Sequence, residues 1–185
     1  MYIPDESGIN SLGGFAYQIK VFVSYMLSMD EGMQAEFETV DDIAISKMTS
    51  DIIDDNEDKF RNLIVSANGI KAIQVKRTSI TEKVAKQVLF NWMLLEKSGK
   101  TITNYILFTD KSYKNSDIVF DVSAEVLYEE ILNSKKSEKA TITKIKKEYE
   151  NDKYRFLNVY ERVKNKYTFM AVDSIDEEIS EKCKV

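Results

Sequence analysis

The run Ile70-Lys-Ala-Ile-Gln-Val-Lys-Arg77 constrains the fold more than any other part of the chain. Read as a strand, it sends Ile73 and Val75 to one side and projects Gln74 and Lys76 together on the other. A second strand-like run, Glu38-Thr-Val-Asp-Asp-Ile-Ala-Ile45, precedes it and carries carboxylates. Strands of this kind need neighbours and a covering layer of helices. With 185 residues, 43% of them hydrophobic and 11% aromatic, the chain has enough material for one real core and too little for two ordinary domains. Residues 1–185 are therefore expected to form one unit. Six glycines and one proline argue against a long flexible linker or a low-complexity tail, and no internal repeat is visible.

A helix is expected from about Leu12 to Met29, with Phe15, Ile19, Phe22 and Met26 on one stripe and Leu12, Ala16, Val23 and Leu27 on the next. Ser11 is its expected N-cap, and Gly13-Gly14 in the first turn permits close approach to another backbone. A strand-like stretch from Ala35 to Met48, a polar loop from Thr49 to Lys59 and a strand-like stretch from Phe60 to Ser66 follow. Asn68-Gly69 then signals a hairpin into the Ile70 run. A second amphipathic helix is expected over Thr81 to Lys97, stopped by Ser98-Gly99, and a buried strand over Thr103 to Thr109. Beyond these, helices are expected near 123–133, 140–150 and 152–166, a short strand over Tyr167 to Val172, and a last amphipathic helix or turn from Ser174. The order implies an α/β fold, a mixed central sheet flanked by helices, with a core at about 11–110 and a helical extension with an edge strand at about 115–185.

Histidine is absent, which removes His-activated nucleophiles and His-containing zinc sites. Acid–base chemistry must use carboxylates, lysines or metal-bound water. The single Cys183 excludes an intramolecular disulfide and a Cys-rich zinc site, and suits a reducing cytoplasm. No apolar run approaches the roughly 20 residues of a membrane helix, and no signal peptide is evident, so no membrane association is expected. The formal charge of −5 argues against nucleic-acid coating by bulk electrostatics. It leaves room for a local groove, because Lys71, Lys76, Arg77, Lys83 and Lys86 cluster around the Gln-x-Lys run while acids concentrate in Asp51 to Asp58 and at the C-terminal end. Taken singly, each of these lysines reads as ordinary solvated surface.

A lysine held on a strand beside a metal-binding acid suits phosphodiester hydrolysis, since a metal neutralises phosphate charge and lowers the pKa of bound water. Asp42 is the first choice for that acid, because it precedes Ile43-Ala44-Ile45 and shares a strand face with the small Ala44. Asp41 is a close rival, and an Asp-Asp taken in isolation reads rather as a polar strand entry, a preference that the order of the motifs along the chain reverses. Glu38 is either a further carboxylate of the site or a solvent-facing strand residue. Arg77 faces away from Lys76 in an ideal strand, which gives it to a nucleic-acid backbone contact or a surface ion pair. Trp92, with Phe90 and Leu94, reads as core. The acidic loop lacks the glycine and spacing of a calcium loop. The lysine-rich stretch Lys135 to Lys147 reads as an exposed helix face.

Three motifs in order, Gly13-Gly14-Phe15-Ala16-Tyr17-Gln18, Glu38-x-x-Asp41-Asp42-Ile43 and Gln74-Val75-Lys76-Arg77, resemble the PD-(D/E)XK (restriction-endonuclease-like) nuclease superfamily. They are most similar to the N-terminal double-stranded DNA endonuclease domain of anti-phage effectors of the CBASS and Lamassu kinds. Phe90-Asn91-Trp92 and the strand around Leu107-Phe108-Thr109 extend the resemblance over nearly the whole chain. It implies a helix, a three-stranded antiparallel meander, a helix and a further strand. It also implies a Mg²⁺-dependent DNA endonuclease, with Mn²⁺ as substitute, whose centre is Asp42, Gln74 and Lys76. Gln74 stands where the superfamily often has an acid, so its amide oxygen is a weaker ligand for a hard cation. The Val75 carbonyl is a further implied ligand, with Glu38 or Asp41 as additional carboxylates. Lys76 is implied to orient water or stabilise phosphate charge. Gln18 is implied in phosphate or indirect contact, with Arg77, Lys71 and Lys83 toward DNA, and Tyr17 in packing. Effectors of this kind act in antiviral defence with a sensing or oligomerising domain or subunit, so a homo-oligomeric active form is an expectation. The rivals are a catalytically inactive nuclease-like scaffold that binds DNA or a partner, and a helical interaction protein with an accidental motif.

Overall fold

The computed structural model describes residues 7–30, 33–37, 43–47, 69–135 and 140–184. Its elements are α1 (Ser7–Met26), β1 (Met33–Phe37), β2 (Ile43–Lys47), β3 (Ile70–Lys76), α2 (Glu82–Glu96), β4 (Ile102–Asp110), α3 (Ala124–Asn133), α4 (Thr141–Tyr149), α5 (Lys153–Asn165), β5 (Tyr167–Val172) and α6 (Ile175–Lys182). The five strands form one sheet in chain order. β1, β2 and β3 are successively antiparallel, whereas β3, β4 and β5 run parallel. A mixed α/β architecture is thus present, and the parallel half places the carboxyl ends of β3, β4 and β5 on one rim. No helix among the described residues is long and apolar enough to cross a membrane.

Strand alternation divides the interior between two layers. Ala72 of β3, Tyr105 and Leu107 of β4, and Tyr167 and Phe169 of β5 meet α2, α3, α4 and α5. Ile73, Val75, Ile106, Phe108, Met170 and Val172 turn to the other face and meet α1 and α6. Register enforces the division, since Tyr105 pairs with Tyr167, Leu107 with Phe169 and Phe108 with Met170. Trp92 is 1% exposed and lies with its ring 5.3 Å from that of Tyr105 and 5.7 Å from that of Tyr167, as the core reading requires. The Tyr105 hydroxyl donates to Glu96 at 2.9 Å, and Lys166 donates to the same carboxylate at 2.6 Å.

Helix ends follow their local chemistry. Thr81, Ser123, Asp152 and Ser174 each accept a first-turn backbone N–H, of Val84, Val126, Arg155 and Glu177 respectively. Such caps contribute roughly 1 kcal/mol each. Gly99, at φ +77°, takes the left-handed conformation that lets the chain leave α2. Lys146 departs from the exposed-face expectation for Lys135 to Lys147: its ammonium turns inward and donates to the carbonyls of Leu132 at 2.6 Å and Ser134 at 3.3 Å, satisfying the end of α3.

Three expectations are corrected. α1 begins at Ser7, so Ser11 lies inside the helix rather than capping it, and Gly13-Gly14 falls beyond the first turn. The Ala35 to Met48 stretch is two paired strands rather than one, with Phe37 opposite Ile43. The hairpin signalled by Asn68-Gly69 does not pair β3 with the preceding segment, because over Ile70–Ile73 the two edges of β3 are occupied by β2 and β4. Gly69 serves a different purpose. At φ +82° its backbone passes so close to β4 that a Cβ would stand 2.8 Å from the Thr101 carbonyl. The expected loop 49–59 and strand 60–66 lie outside the described residues.

Candidate functional site

β3 is the centre of the sheet and carries the Gln-x-Lys pair toward its carboxyl end. Gln74 shares the face of Ala72 and pairs with Leu107, and Lys76 pairs with Thr109. Gln74 is 5% exposed, which is deep for an amide, while Lys76 is half-buried. Lys76 makes no ion pair with a described residue and stands at the sheet rim. β1 and β2 bring Met33, Ala35, Phe37, Ile43 and Ile45 to the α1–α6 layer. Neither strand contributes a described residue to the α2–α5 core, so that core stops at β3, where Gln74 and Lys76 stand.

Val75 turns to the opposite face and is buried against the α1 layer. Arg77 follows it there, as alternation predicts. The guanidinium donates to the Gly13 carbonyl at 3.4 Å and stands 5.8 Å from the centroid of the Tyr17 ring. A Cβ on Gly13 would lie 3.3 Å from the Arg77 Nη1, so the glycine makes room for this contact. Tyr17 is 4% exposed, and its hydroxyl has no hydrogen-bond partner among the described residues. Burial, then the Asp110 and Glu178 carboxylates, push the phenol pKa up, while Arg77 pulls it down.

The structure sets Gln74 and Lys76 on one face of β3 and turns Val75 and Arg77 to the other, where the Gly13–Tyr17 turn of α1 docks on the strand end. Gln18 is half-buried on α1, the layer over the Val75 face, rather than on the face of Gln74 and Lys76. Lys71 is exposed near the opposite end of β3, and Lys83 is exposed in the first turn of α2. Glu38, Asp41 and Asp42 lie outside the described residues. Among the described residues, no group of three or more His, Cys, Asp or Glu side chains is placed to hold a metal.

A further feature of the rim was not read from the sequence. Asn115 donates from Nδ2 to the Thr109 hydroxyl at 2.7 Å and to the Thr78 carbonyl at 3.0 Å, while its Oδ1 accepts the Ile80 N–H at 2.8 Å. One side chain therefore fastens the segment after β3 to the segment after β4. The available signal was an asparagine in a short polar stretch following a strongly apolar strand, which fits many loops equally well.

No protein-family model matches this chain, no curated protein matches it, and no solved structure matches it.

Proposed function

We propose that this chain is a metal-dependent endonuclease of the PD-(D/E)XK type that hydrolyses double-stranded DNA. The observation that carries the reading is the β2–β3 register. Ile43 pairs with Ile73, Asp42 is bonded to Ile43, and Gln74 is bonded to Ile73. The antiparallel β2–β3 pairing thus runs, on the described side, as far as the residue before Gln74, and the sequence carries Asp42 directly before Ile43. The order α1, antiparallel β1-β2-β3, α2 and parallel β4 also agrees with the nuclease core implied by the motifs.

The donor set fits a hard cation. Gln74 offers an amide oxygen, Val75 a backbone carbonyl, and Asp42, Asp41 or Glu38 a carboxylate, all of them oxygen ligands of the kind Mg²⁺ takes. Bound there, the metal would supply Lewis-acid stabilisation of the phosphate and an acidified water. Lys76 adds a positive charge two residues beyond Gln74, placed to orient the attacking water or to meet charge that grows on the scissile phosphate. The motif resemblance further supports a role as the effector part of a prokaryotic anti-phage system, activated by assembly or by a sensing partner.

Cleavage of supercoiled and linear duplex DNA with Mg²⁺ or Mn²⁺ tests the reading, with Lys76→Ala and Asp42→Ala as controls. Metal-dependent cutting that both substitutions abolish, with unchanged circular dichroism, is the expected result. The neutral, buried Gln74 favours a second reading, a nuclease-like scaffold that has lost activity. Calorimetric titration with Mn²⁺ separates the two, because the scaffold shows no binding that depends on Asp42.

A further inference from the structure

The segment that leaves β4 has properties that ordinary connection does not require. Lys76 pairs with Thr109, so β4 ends beside the lysine of the proposed centre. Asp110 then accepts the Ser112 N–H at 2.8 Å, and Lys111–Tyr113 closes a single 3₁₀ turn. Lys114 follows in the left-handed region at φ 50°, its N–H donating to the Lys111 carbonyl at 2.9 Å. It is the only residue other than glycine with positive φ among the described residues. A lysine gains nothing locally from that conformation, which favours Gly or Asn.

The turn is also fixed from both sides. Asn115 bolts its exit to Thr78 and Thr109, and Lys111 is tied to Asp173 beyond β5 at 2.6 Å. What this scaffold leaves to solvent is the Tyr113 ring, 40% exposed, and the Lys114 ammonium, which makes no ion pair with a described residue. A rigid mount that presents an aromatic ring and a cation near Lys76, neither lysine ion-paired among the described residues, is the chemistry of a phosphodiester-backbone contact. Strand spacing of about 4.8 Å and a 3₁₀ rise of about 2 Å per residue put the turn within roughly 15 Å of Lys76, two or three nucleotides along a backbone.

Building on the nuclease reading, we propose that the Ser112–Lys114 turn forms one wall of the DNA site. Lys114 meets a phosphate flanking the scissile one, and Tyr113 packs against the neighbouring sugar. The local pair of cations accounts for how a chain of net charge −5 holds a polyanion at one rim only.

Fluorescence anisotropy of a labelled duplex in Ca²⁺ measures binding by the full chain, with wild type, Lys114→Gly, Tyr113→Ala and Lys100→Gly compared. Glycine accepts the left-handed backbone, so Lys114→Gly removes the charge without loss of fold. Lys100 is exposed just before β4, at the opposite end of that strand, and serves as the control. The expected result is severalfold weaker binding for Lys114→Gly with the salt slope reduced by about one, severalfold weaker binding for Tyr113→Ala, and no change for Lys100→Gly. Wild-type binding that Lys114→Gly leaves unaltered overturns the wall while sparing the nuclease reading. Absence of wild-type binding at low salt overturns both.

Discussion

The Arg77 guanidinium lies over the Tyr17 ring, 5.8 Å from its centroid, and reaches on to the Gly13 carbonyl at 3.4 Å. This contact joins the first helix to the end of the strand that carries Gln74 and Lys76. Arg77→Ala is expected to cost about 0.5–1 kcal/mol, the range of an exposed cation–π pair. Tyr17→Phe acts in the opposite sense. Its hydroxyl is buried with no described partner, so removing it should stabilise by about 1 kcal/mol. Urea midpoints of the two variants, read against wild type, check both signs.

Gly69→Ala should destabilise by more than 1 kcal/mol, since the residue combines φ +82° with a Cβ position only 2.8 Å from the Thr101 carbonyl. Backbone is in the way, so a rotamer change cannot relieve the clash. Gly99→Ala, where φ is +77° and no atom lies within 4 Å of the added Cβ, should cost less. Thermal melts of the pair separate conformational strain from steric conflict.

Asn115→Ala removes three hydrogen bonds and leaves the fully buried Thr109 hydroxyl without its donor. A loss of about 1–3 kcal/mol is expected. Under the nuclease reading, DNA affinity should fall along with stability, because the turn before Asn115 loses its mount. Asn115→Asp tests the donor side: the carboxylate can still accept from Ile80, but it cannot donate to Thr109 or Thr78.

Glu96 holds the C-terminal turn of α2 against α5 and β4. Its carboxylate is 8% exposed and takes Lys166 at 2.6 Å, Arg162 at 3.6 Å and the Tyr105 hydroxyl at 2.9 Å. Glu96→Ala removes the buried acceptor from partly exposed Lys166 and Arg162 and from the Tyr105 hydroxyl, and is expected to cost about 1–3 kcal/mol, more than loss of the exposed Lys20–Asp176 pair at about 0–1 kcal/mol. Chemical denaturation of Glu96→Ala and Asp176→Ala ranks the two.

Alkaline pH should weaken the fold through its buried phenols. Burial first, then Glu178, pushes Tyr25 from 10.0 up to about 12, and Tyr17 and Tyr167 are also raised. Between pH 10 and 12 the unfolded chain loses phenolic protons that the folded chain keeps. The contribution is therefore fully present below pH 10 and is lost as pH rises through the folded pKa. Ultraviolet titration of tyrosinate in the native protein should lag that in urea, and denaturation midpoints should fall over the same interval.

The elements with strong periodicity were legible in the sequence. β3, β4, β5 and the helices from Thr81 onward stand within a residue or two of their expected spans. The Gln74–Lys76 face and the turning away of Arg77 followed from the same alternation. Ser11 misled because a serine is as compatible with a helix interior as with its cap when the helix is held by packing. Asn68-Gly69 misled because positive φ at glycine reports a tight backbone, which here serves the approach to Thr101 rather than a hairpin. Asn115 escaped notice because its three partners come from segments as far as 37 residues away, and one-dimensional patterns do not encode such a meeting.

The layer over the Val75 face is built from the two ends of the described chain. Lys182 donates to the Ser24 hydroxyl across 158 positions, and Lys20 meets Asp176 across 156. Contacts so distant in sequence close late, because loop entropy is spent before they form. During synthesis from the N-terminus, Tyr17 and Phe22 of α1 can settle on Phe37 and Phe108 of the sheet early, but the α1 edge that takes Asp176 and Lys182 must wait until almost the whole described chain has emerged. The α2–α5 side is complete before that moment. Newborn molecules thus pass through a state in which the α6-facing edge of α1 is open, and a shortage of chaperones should reduce the yield of folded protein more than its stability once folded.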